Sequence, residues 1–551
     1  MLGQPGDANL AVGLRSFTEL GILPKPIMES ACHPSTEARP VRMLWVYWTA
    51  IVLVLALHIW VAYHGVLKTD SDADVFKQAA LMKIKNGRFS APTATGYLPH
   101  SEEVFGVYPG YPALLSAWLS IAGPSHSASI AFDLGLNFIA SLIASMWLLR
   151  KCGNGPLAAA CLLFLQFLVN CKLGRPEVLA SATFMLALYI NTAWPSSAWW
   201  ASALPLGVAV ASSYAVGAAC FAAYSLFTAL QTNRPAKVIP RLTCTAGLTA
   251  VVAAGVWLYV VYPNPRLAIS DFLGLVHNVR SRTSLTGQLT ALWNEHFVVA
   301  APLLAAILVT AIGARPATAR TRIIDPATLR SITAALAGAL AYLLVLAALS
   351  KLPAYYLPPL YHFLTPMAIC GLWHTAYIRT VLMRNRACIA AIVAIPAILI
   401  ARYNWFLIRA AIVPIGWPPD AVTPAIARAT VESIVPETVS LGGDGALITV
   451  LGTKYKFLSL NWTGDNWPDY IVSTIDSRSL KPWLLERRGS GGGWERIAER
   501  IEREYESVET GLGPPKPCWL SEWLRRHELP NPRYKNCDWY IVMWRRRGQG
   551  E

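Results

Sequence analysis

The sequence has few charged side chains for its length. Only 14% of its 551 residues are Asp, Glu, Lys or Arg, and its mean hydropathy is +0.40. A soluble protein carries about 25% charged residues, so this shortage argues against a soluble globular chain. Apolar runs of roughly 16–23 residues, long enough to cross a bilayer, recur along most of the sequence. We therefore predict a mainly α, polytopic membrane bundle.

Two further features are missing. No Cys and His spacing resembles a zinc site, although the chain has 10 residues of each type; this argues against structural zinc. No cleavable signal peptide is evident, because about forty mostly polar residues precede the first apolar run. That run, Leu44–Val66, is predicted to be an uncleaved signal anchor.

Cys518 and Cys537 lie in the tail and could form a disulfide in an oxidising compartment.

The apolar runs predict about eleven spans. After Leu44–Val66 they are Ser129–Leu149, Pro156–Cys171, Val178–Ala193, Ala198–Ser213, Ala215–Leu230, Leu242–Tyr262, Phe297–Ile312, Ser331–Leu349, Tyr355–His374 and Ala387–Leu407. Tyr111–Ile121 is too short to cross and is predicted to be an interfacial helix.

The charge of the connecting loops predicts how the chain is oriented in the membrane. The net charge of +15 could indicate a nucleic-acid partner, but the basic residues fall in every second connection, as the positive-inside bias requires. We expect a disordered cytosolic segment at residues 1–42 and a membrane domain at 43–411 with an external loop at 67–126. An extracytoplasmic domain at 412–551 would follow. A bacterial inner membrane, with that domain in the periplasm, is the expected location.

The tail changes in composition and is predicted to be a small α/β domain. Three short apolar segments, GALITVLG, DYIVSTID and DWYIVMW, are typical of strands. The segment WERIAERIEREYESVE has helical spacing, and the run Gly489–Gly493 is predicted to be a flexible hinge or loop.

Three aspartates stand close together after the first span, in the segment TDSDADVF: Asp70, Asp72 and Asp74. Acids are favoured at a helix N-terminus, and this explains one of them. It explains three poorly, because like charges at this spacing repel and raise each other's pKa. A divalent cation such as Mg²⁺ or Mn²⁺ on Asp72 and Asp74, or a catalytic role, would offset the repulsion.

Other charged residues are expected on the same side of the membrane. Arg175 and Glu177 belong to the turn GRPE, Lys351 follows a late span, and the loop VHNVRSRTSL carries His277, Arg280 and Arg282. Ordinary explanations exist: Pro and Glu suit the first turn of a helix, and a Lys beside tyrosines can extend to the interface. The alternative is a set of cations at headgroup depth that binds a lipid phosphate.

The order of these features resembles that of the GT-C glycosyltransferases, which use sugars linked to polyprenyl phosphates. The branch of the lipid A aminoarabinose transferase and the protein O-mannosyltransferases is the most similar. The resemblance rests on DADVFKQAALMKIKNG, VYPGYPALLSAWL, GRPE and SKLPAYYL, in that order. This sequence departs from the family's pattern in its alternating aspartates and in Asp133. Asp133 could be a third acid or a partner for Arg175.

The resemblance implies a transferase that moves a hexosyl or pentosyl group from a polyprenyl phosphate to an extracytoplasmic glycan, lipid or protein hydroxyl, with inversion. Asp72 would be the base, with Asp74 and Glu177 as helpers. The residues expected to bind substrate and lipid phosphate are Arg175, His277, Arg280, Arg282, Lys351 and Tyr355. Two alternatives stay open: a flippase or transporter of lipid-linked sugars, and a scaffold or sensor acting through the external domain.

Overall fold

The computed structural model describes most of the chain. The described residues are 39–65, 71–95, 98–168, 174–193, 199–231, 235–280, 286–287, 290, 326–349, 356–374, 410–411, 413–416, 420–443, 447–451, 454–460, 467–475, 482–486, 494–513, 527 and 539–548. The predicted spans Phe297–Ile312 and Ala387–Leu407 lie outside these ranges. So do residues 1–38 of the predicted disordered segment, the Gly489–Gly493 hinge, and both Cys518 and Cys537.

The first part of the chain is helical, as predicted. Its helices are α1 (Arg39–His64), α2 (Ser71–Asn86), α3 (Gly110–Ala122), α4 (His126–Cys152), α5 (Gly155–Leu168), α6 (Pro176–Ala193), α7 (Ala203–Ser212), α8 (Tyr214–Gln231), α9 (Pro235–Val261), α10 (Pro265–Arg280), α11 (Pro326–Ala348) and α12 (Pro358–His374). Their ends follow local chemistry. The Ser125 hydroxyl caps α4 by accepting from the Ala128 N–H, and Gly153 closes it with φ of 61°.

Five of these helices, α1, α4, α8, α9 and α11, are long and apolar enough to cross a membrane. Helices also cover each of the other predicted spans that lie within the described ranges, although several are shorter. The first helix begins at Arg39, ahead of its predicted start at Leu44. The segment Tyr111–Ile121, predicted to be an interfacial helix, is helical and forms most of α3.

The core of the helical part is built around aromatic side chains of α4, α6, α8, α11 and α12. Phe363 lies between two other rings, 5.7 Å from Phe184 and 5.3 Å from Phe227, both edge to face. Each such contact contributes about 0.5–1.5 kcal/mol beyond the area buried. Because lipid chains are as apolar as these side chains, close packing of this kind holds membrane helices together.

The tail is the predicted small α/β domain. Its helices are α13 (Pro424–Ile434), α14 (Ile448–Leu451), α15 (Trp483–Glu486) and α16 (Trp494–Glu504), and its strands are β1 (Ser440–Gly443), β2 (Lys456–Ser459), β3 (Tyr470–Thr474), β4 (Tyr505–Val508) and β5 (Ile541–Arg546). The strand order is β2-β1-β3-β5-β4. The first three strands are parallel, and β5 is antiparallel to both β3 and β4.

Two predictions within the tail are wrong. The segment GALITVLG does not form a strand; its apolar centre is the short buried helix α14. An apolar run of this length suits either structure once both of its faces are buried. The segment WERIAERIEREYESVE is helical only to Glu504, and its end is the strand β4, which pairs with β5.

The α/β domain packs on the helices at one end of the bundle. Phe76 of α2 belongs to the same apolar core as Phe457 of β2 and Trp539. Three hydrogen bonds join the two parts: the Gln78 amide donates to the Phe457 carbonyl (3.1 Å), the Trp539 indole donates to the Gly65 carbonyl (3.1 Å), and the His126 ring lies 2.5 Å from the Thr449 hydroxyl. Segments that were predicted to face outward therefore meet at one end of the molecule.

Packing at Gly217 is tight enough to test. A Cβ added there would lie 2.3 Å from the Val210 Cα, so α7 and α8 touch through backbone. We expect Gly217→Ala to lower the free energy of unfolding by about 1–3 kcal/mol, the usual effect of overpacking. Thermal unfolding in detergent would measure it. Gly247→Ala is the control, because nothing lies within 4 Å of its added Cβ; equal losses for the two variants would contradict the packing described.

Candidate active site

Helix α2 carries the predicted acids to the end of the bundle where the α/β domain packs. Asp74 is 1% exposed and Lys77 is 0% exposed, in a part of α2 that is buried on every side from Ala73 to Leu81. Lys is almost never fully buried in this way without a partner. The burial of Lys77 therefore identifies a constrained site.

The partner of Lys77 is Asp133 on α4. The Lys77 Nζ lies 3.3 Å from the Asp133 Oδ2, and both side chains are fully buried. The Tyr111 hydroxyl of α3 donates to the Asp133 Oδ1 at 2.6 Å. The sequence leaves two roles open for Asp133, a third acid and a partner for Arg175; the structure places it in an ion pair with Lys77. The arrangement joins α2, α3 and α4.

The GRPE turn packs directly on α2 through Gly174. Gly174 has φ of 79°, and a Cβ added there would lie 2.5 Å from the Ala73 Cβ and 2.8 Å from the Lys77 Cε. Only Gly fits this turn without displacing α2. Its backbone also hydrogen-bonds Asp133. The turn, α2 and α4 are therefore held together at one point.

The same turn presents a buried ion pair. The Arg175 Nε lies 3.3 Å from the Glu177 Oε2, and both side chains are buried. Glu177 is in the first turn of α6, where the helix dipole stabilises a carboxylate. Within the described part of the chain, its other oxygen, Oε1, is buried and has no hydrogen-bond partner. A buried carboxylate oxygen of this kind requires a donor, and a bound substrate can supply one.

Tyr108 adds a strained aromatic residue beside the acids. Its φ is 51°, a left-handed conformation that bulky residues rarely adopt. Its ring stacks on Tyr214 at 5.4 Å and lies 5.8 Å from Phe76. Burial, then the nearby Tyr214 and Glu177, raise the pKa of Tyr108 well above its usual value. Its hydroxyl therefore stays protonated at neutral pH, and backbone strain of this kind concentrates at functional sites.

Several predicted site residues, or their side chains, lie outside the part of the chain that the structure describes. Asp70, Arg282, Lys351 and Tyr355 are outside the described ranges. The backbone of three more is described, but not their side chains: Asp72, His277 and Arg280. Asp72 lies in the first turn of α2 and His277 and Arg280 near the end of α10.

The described residues include no cluster of three or more His, Cys, Asp or Glu that could hold a metal ion. Within them, Asp133 and Glu177 each pair with a cation. The divalent cation predicted on Asp72 and Asp74 depends on the Asp72 side chain, so it stays a prediction.

Sequence reasoning missed the importance of Lys77, Tyr111 and Tyr108. A signal for Lys77 was present: it stands three residues after Asp74, within the apolar stripe of α2, and the span containing Asp133 required a partner for a buried acid. Tyr108 gave no such signal, because a left-handed backbone at a Tyr cannot be anticipated from residue type.

Comparison with solved structures identifies the fold. The crystal structure of ArnT from Cupriavidus metallidurans bound to undecaprenyl phosphate aligns with 90% of this chain and 97% of its own, at a TM-score of 0.51 and 12% identity. The Archaeoglobus fulgidus oligosaccharyltransferase, in complex with Zn and sulfate, aligns with 84% of this chain and 67% of its own, at 0.43 and 13%. The archaeal oligosaccharyltransferase AglB from the same organism, in complex with an inhibitory peptide and a dolichol-phosphate, aligns at 0.41 and 12%, over 83% of this chain and 69% of its own.

No family model matches the sequence, and no curated protein matches it. The alignment with ArnT runs over nearly the whole of both chains, so the chain has the GT-C fold. With its long apolar helices, it is an integral, multi-pass membrane protein.

The Lys77–Asp133 pair gives a stability prediction. Lys77→Met leaves Asp133 buried without its cation, and we expect a loss of about 3–5 kcal/mol in the free energy of unfolding. Chemical unfolding in detergent would measure it. In Lys77→Met/Asp133→Asn the acid is neutral and can still accept from Tyr111, so most of the loss should be recovered. Lys85→Met, an exposed change on the same helix, is the control; a double variant as unstable as the sum of the singles would contradict the pairing.

Proposed function

We propose that the protein is a membrane glycosyltransferase that moves a sugar from a polyprenyl-phosphate donor to an extracytoplasmic hydroxyl of a lipopolysaccharide, glycan or protein. The observation that carries the proposal is a set of three buried carboxylates, Asp74, Asp133 and Glu177, at one end of a GT-C bundle, here called the carboxylate cluster. Within the described residues, the Glu177 Oε1 has no hydrogen-bond donor. The ArnT structure, which has the same fold, was solved with undecaprenyl phosphate. A lipid phosphate therefore suits the donor side of the reaction.

In the proposed reaction, Asp72 acts as the general base. It takes the proton of the acceptor hydroxyl as the oxygen attacks the anomeric carbon of the sugar. The new carbon–oxygen bond forms on the face opposite the phosphate, and the bond between the anomeric carbon and the phosphate oxygen breaks, so the configuration is inverted. The electron pair leaves with the polyprenyl phosphate. Arg280 or Arg282, with Lys351, would stabilise that charge.

The described residues have supporting roles in this scheme. The Glu177 Oε1 accepts a hydrogen bond from a hydroxyl of the sugar or acceptor, while Arg175 orients the carboxylate. The Tyr108 hydroxyl donates to a sugar oxygen. Lys77 and Asp133 are positioning residues, because they fix α2 and with it the acids that precede Lys77. His277 and Tyr355 are proposed to line the donor side.

Helix geometry supports Asp72 rather than Asp74 as the base. Positions two apart in sequence lie about 200° apart around an α-helix, so positions 72 and 74 are on different sides of α2. Asp74 is 1% exposed and lies on the side of α2 that carries Lys77. A base must reach a substrate that enters and leaves, which favours Asp72, with Asp74 as an electrostatic helper. A divalent cation on Asp72, if one binds, would orient that carboxylate.

Transfer assays on the three acids test the proposal. With purified protein in vesicles and a polyprenyl-phosphate sugar, we expect Asp72→Asn to lower kcat by about 10²–10⁴-fold, the usual contribution of a general base. Glu177→Gln should act mainly through KM, because an amide oxygen still accepts but loses its charge. Release of free polyprenyl phosphate, followed by chromatography, measures turnover.

Glu103→Gln, an exposed change in the same external loop, is the matched control and should transfer normally. Full activity in Asp72→Asn with none in Asp74→Asn would move the base to Asp74. Movement of the intact lipid-linked sugar across the bilayer, with no glycosidic bond formed, would favour a flippase instead. Activity retained after deletion of residues 442–551 would argue against a scaffold or sensor acting through the tail.

A further inference from the structure

A cavity of about 370 Å³ opens at the other end of the bundle, away from the carboxylate cluster. The final turns of α4, α6 and α8, the first turns of α9, and Trp199 surround it. On α4, Asp133 belongs to the cluster and Arg150 lines the cavity. Seventeen residues separate them, which is about 25 Å along a helix. The cavity is therefore separate from the candidate active site.

The charge lining the cavity is of one sign. Arg150, Lys151 and Arg241 line it, and its described lining includes no Asp or Glu. Three cations around a concave space attract an anion and exclude cationic ligands. Two are Arg, whose planar fork suits phosphate oxygens. The positive-inside bias accounts for basic loops, but it does not bring cations from two separate helices to one cavity.

Aromatic rings beneath the cations hold them in place. Each charged group lies over a ring: Arg150 is 5.7 Å from Tyr189, Lys151 is 5.9 Å from Trp147, and Arg241 is 5.8 Å from Trp199. Such contacts restrict the three side chains before a ligand binds, so that they lose less conformational freedom on binding an anion. The cavity is therefore preorganised.

Neutral hydrogen-bonding groups complete the lining. The Asn191 amide donates to the Thr228 hydroxyl at 3.1 Å, and the Gln231 amide donates to Ser331 at 3.3 Å. Amides and hydroxyls near basic residues suit the oxygen-rich headgroup that follows a phosphate.

The surroundings indicate a lipid as the source of the phosphate. Three lining residues are each followed or preceded by a large exposed apolar side chain: Trp200, Leu230 and Ile239. These side chains would contact acyl chains in the bilayer. We propose that this cavity binds the phosphate-bearing headgroup of an anionic membrane lipid, with its acyl chains along α8 and α9. This site lies beyond the proposed transferase reaction and does not depend on it.

Native mass spectrometry of the full-length protein in detergent tests the proposal. The probes are dioctanoyl phosphatidic acid, dioctanoylglycerol, which has the same chains without the phosphate, and inorganic phosphate. We expect the first to bind, the second not to bind, and the third to bind only weakly. Arg150→Ala/Lys151→Ala/Arg241→Ala should weaken phosphatidic acid binding at least about 10-fold, a loss of about 1.4 kcal/mol or more, because all three cations are removed.

Arg330→Ala is the matched control, an exposed change at the same end beside Ser331, and its binding should be normal. Lys151→Gln, a single exposed change, covers the case in which the triple variant fails to fold, and should weaken binding by a few-fold. Equal binding by the native protein and both cavity variants would overturn the site. Equal binding of dioctanoylglycerol would overturn the role of the phosphate, and tight binding of inorganic phosphate alone would overturn the lipid.

Discussion

The geometry of the candidate site depends on one buried ion pair, between Lys77 and Asp133. Two charges without solvent are expensive to bury, and they are tolerated here because Tyr111 and the Gly174 turn supply further hydrogen bonds to the carboxylate. Because solvent is excluded, either charge without the other would be far less stable than the pair, so the two side chains must stay together. The position of α2, and so of the acids at its start, is set by this contact.

The rest of the assembly supports the same helix through the two sequence neighbours of Lys77. Gln78, the residue after Lys77, accepts from both the Thr93 N–H and hydroxyl and donates to β2 of the α/β domain. Phe76 packs into the core shared with that domain. The tail therefore acts as a rigid backing for the acid-bearing helix, in keeping with the need of a catalytic group for a fixed position.

The fold could be predicted from the sequence because the bilayer restricts it so strongly. About twenty apolar residues in lipid form a helix, because no water is available there to satisfy the backbone. The charges of the loops predict which connections lie on the same side of the membrane. The acids and the GRPE turn could be placed at one end for the same reason. The pairing of Lys77 with Asp133 could not, since 56 positions and one intervening α-helix, α3, separate them and packing alone decides which cation reaches which acid.

The two wrong predictions in the tail were also decided by packing. The end of the charged helix pairs with β5 as a strand, and the centre of GALITVLG is a buried helix that packs on α13 and α2. Tyr108 illustrates the limit most clearly: its left-handed backbone and the stacking of its ring on Tyr214 have no signal in residue type.

The hydrogen bond from the Trp539 indole to the Gly65 carbonyl spans 474 positions of the chain. It lies at the junction between α1 and α2, the helix with the acids. The ribosome must therefore synthesise the chain as far as residue 539 before this junction can be fastened. Until then the charged residues of the candidate site are present, but the contact that ties the junction before α2 to the tail is missing. The candidate site therefore takes its final form late in biogenesis, after the membrane helices that precede residue 539 have been made.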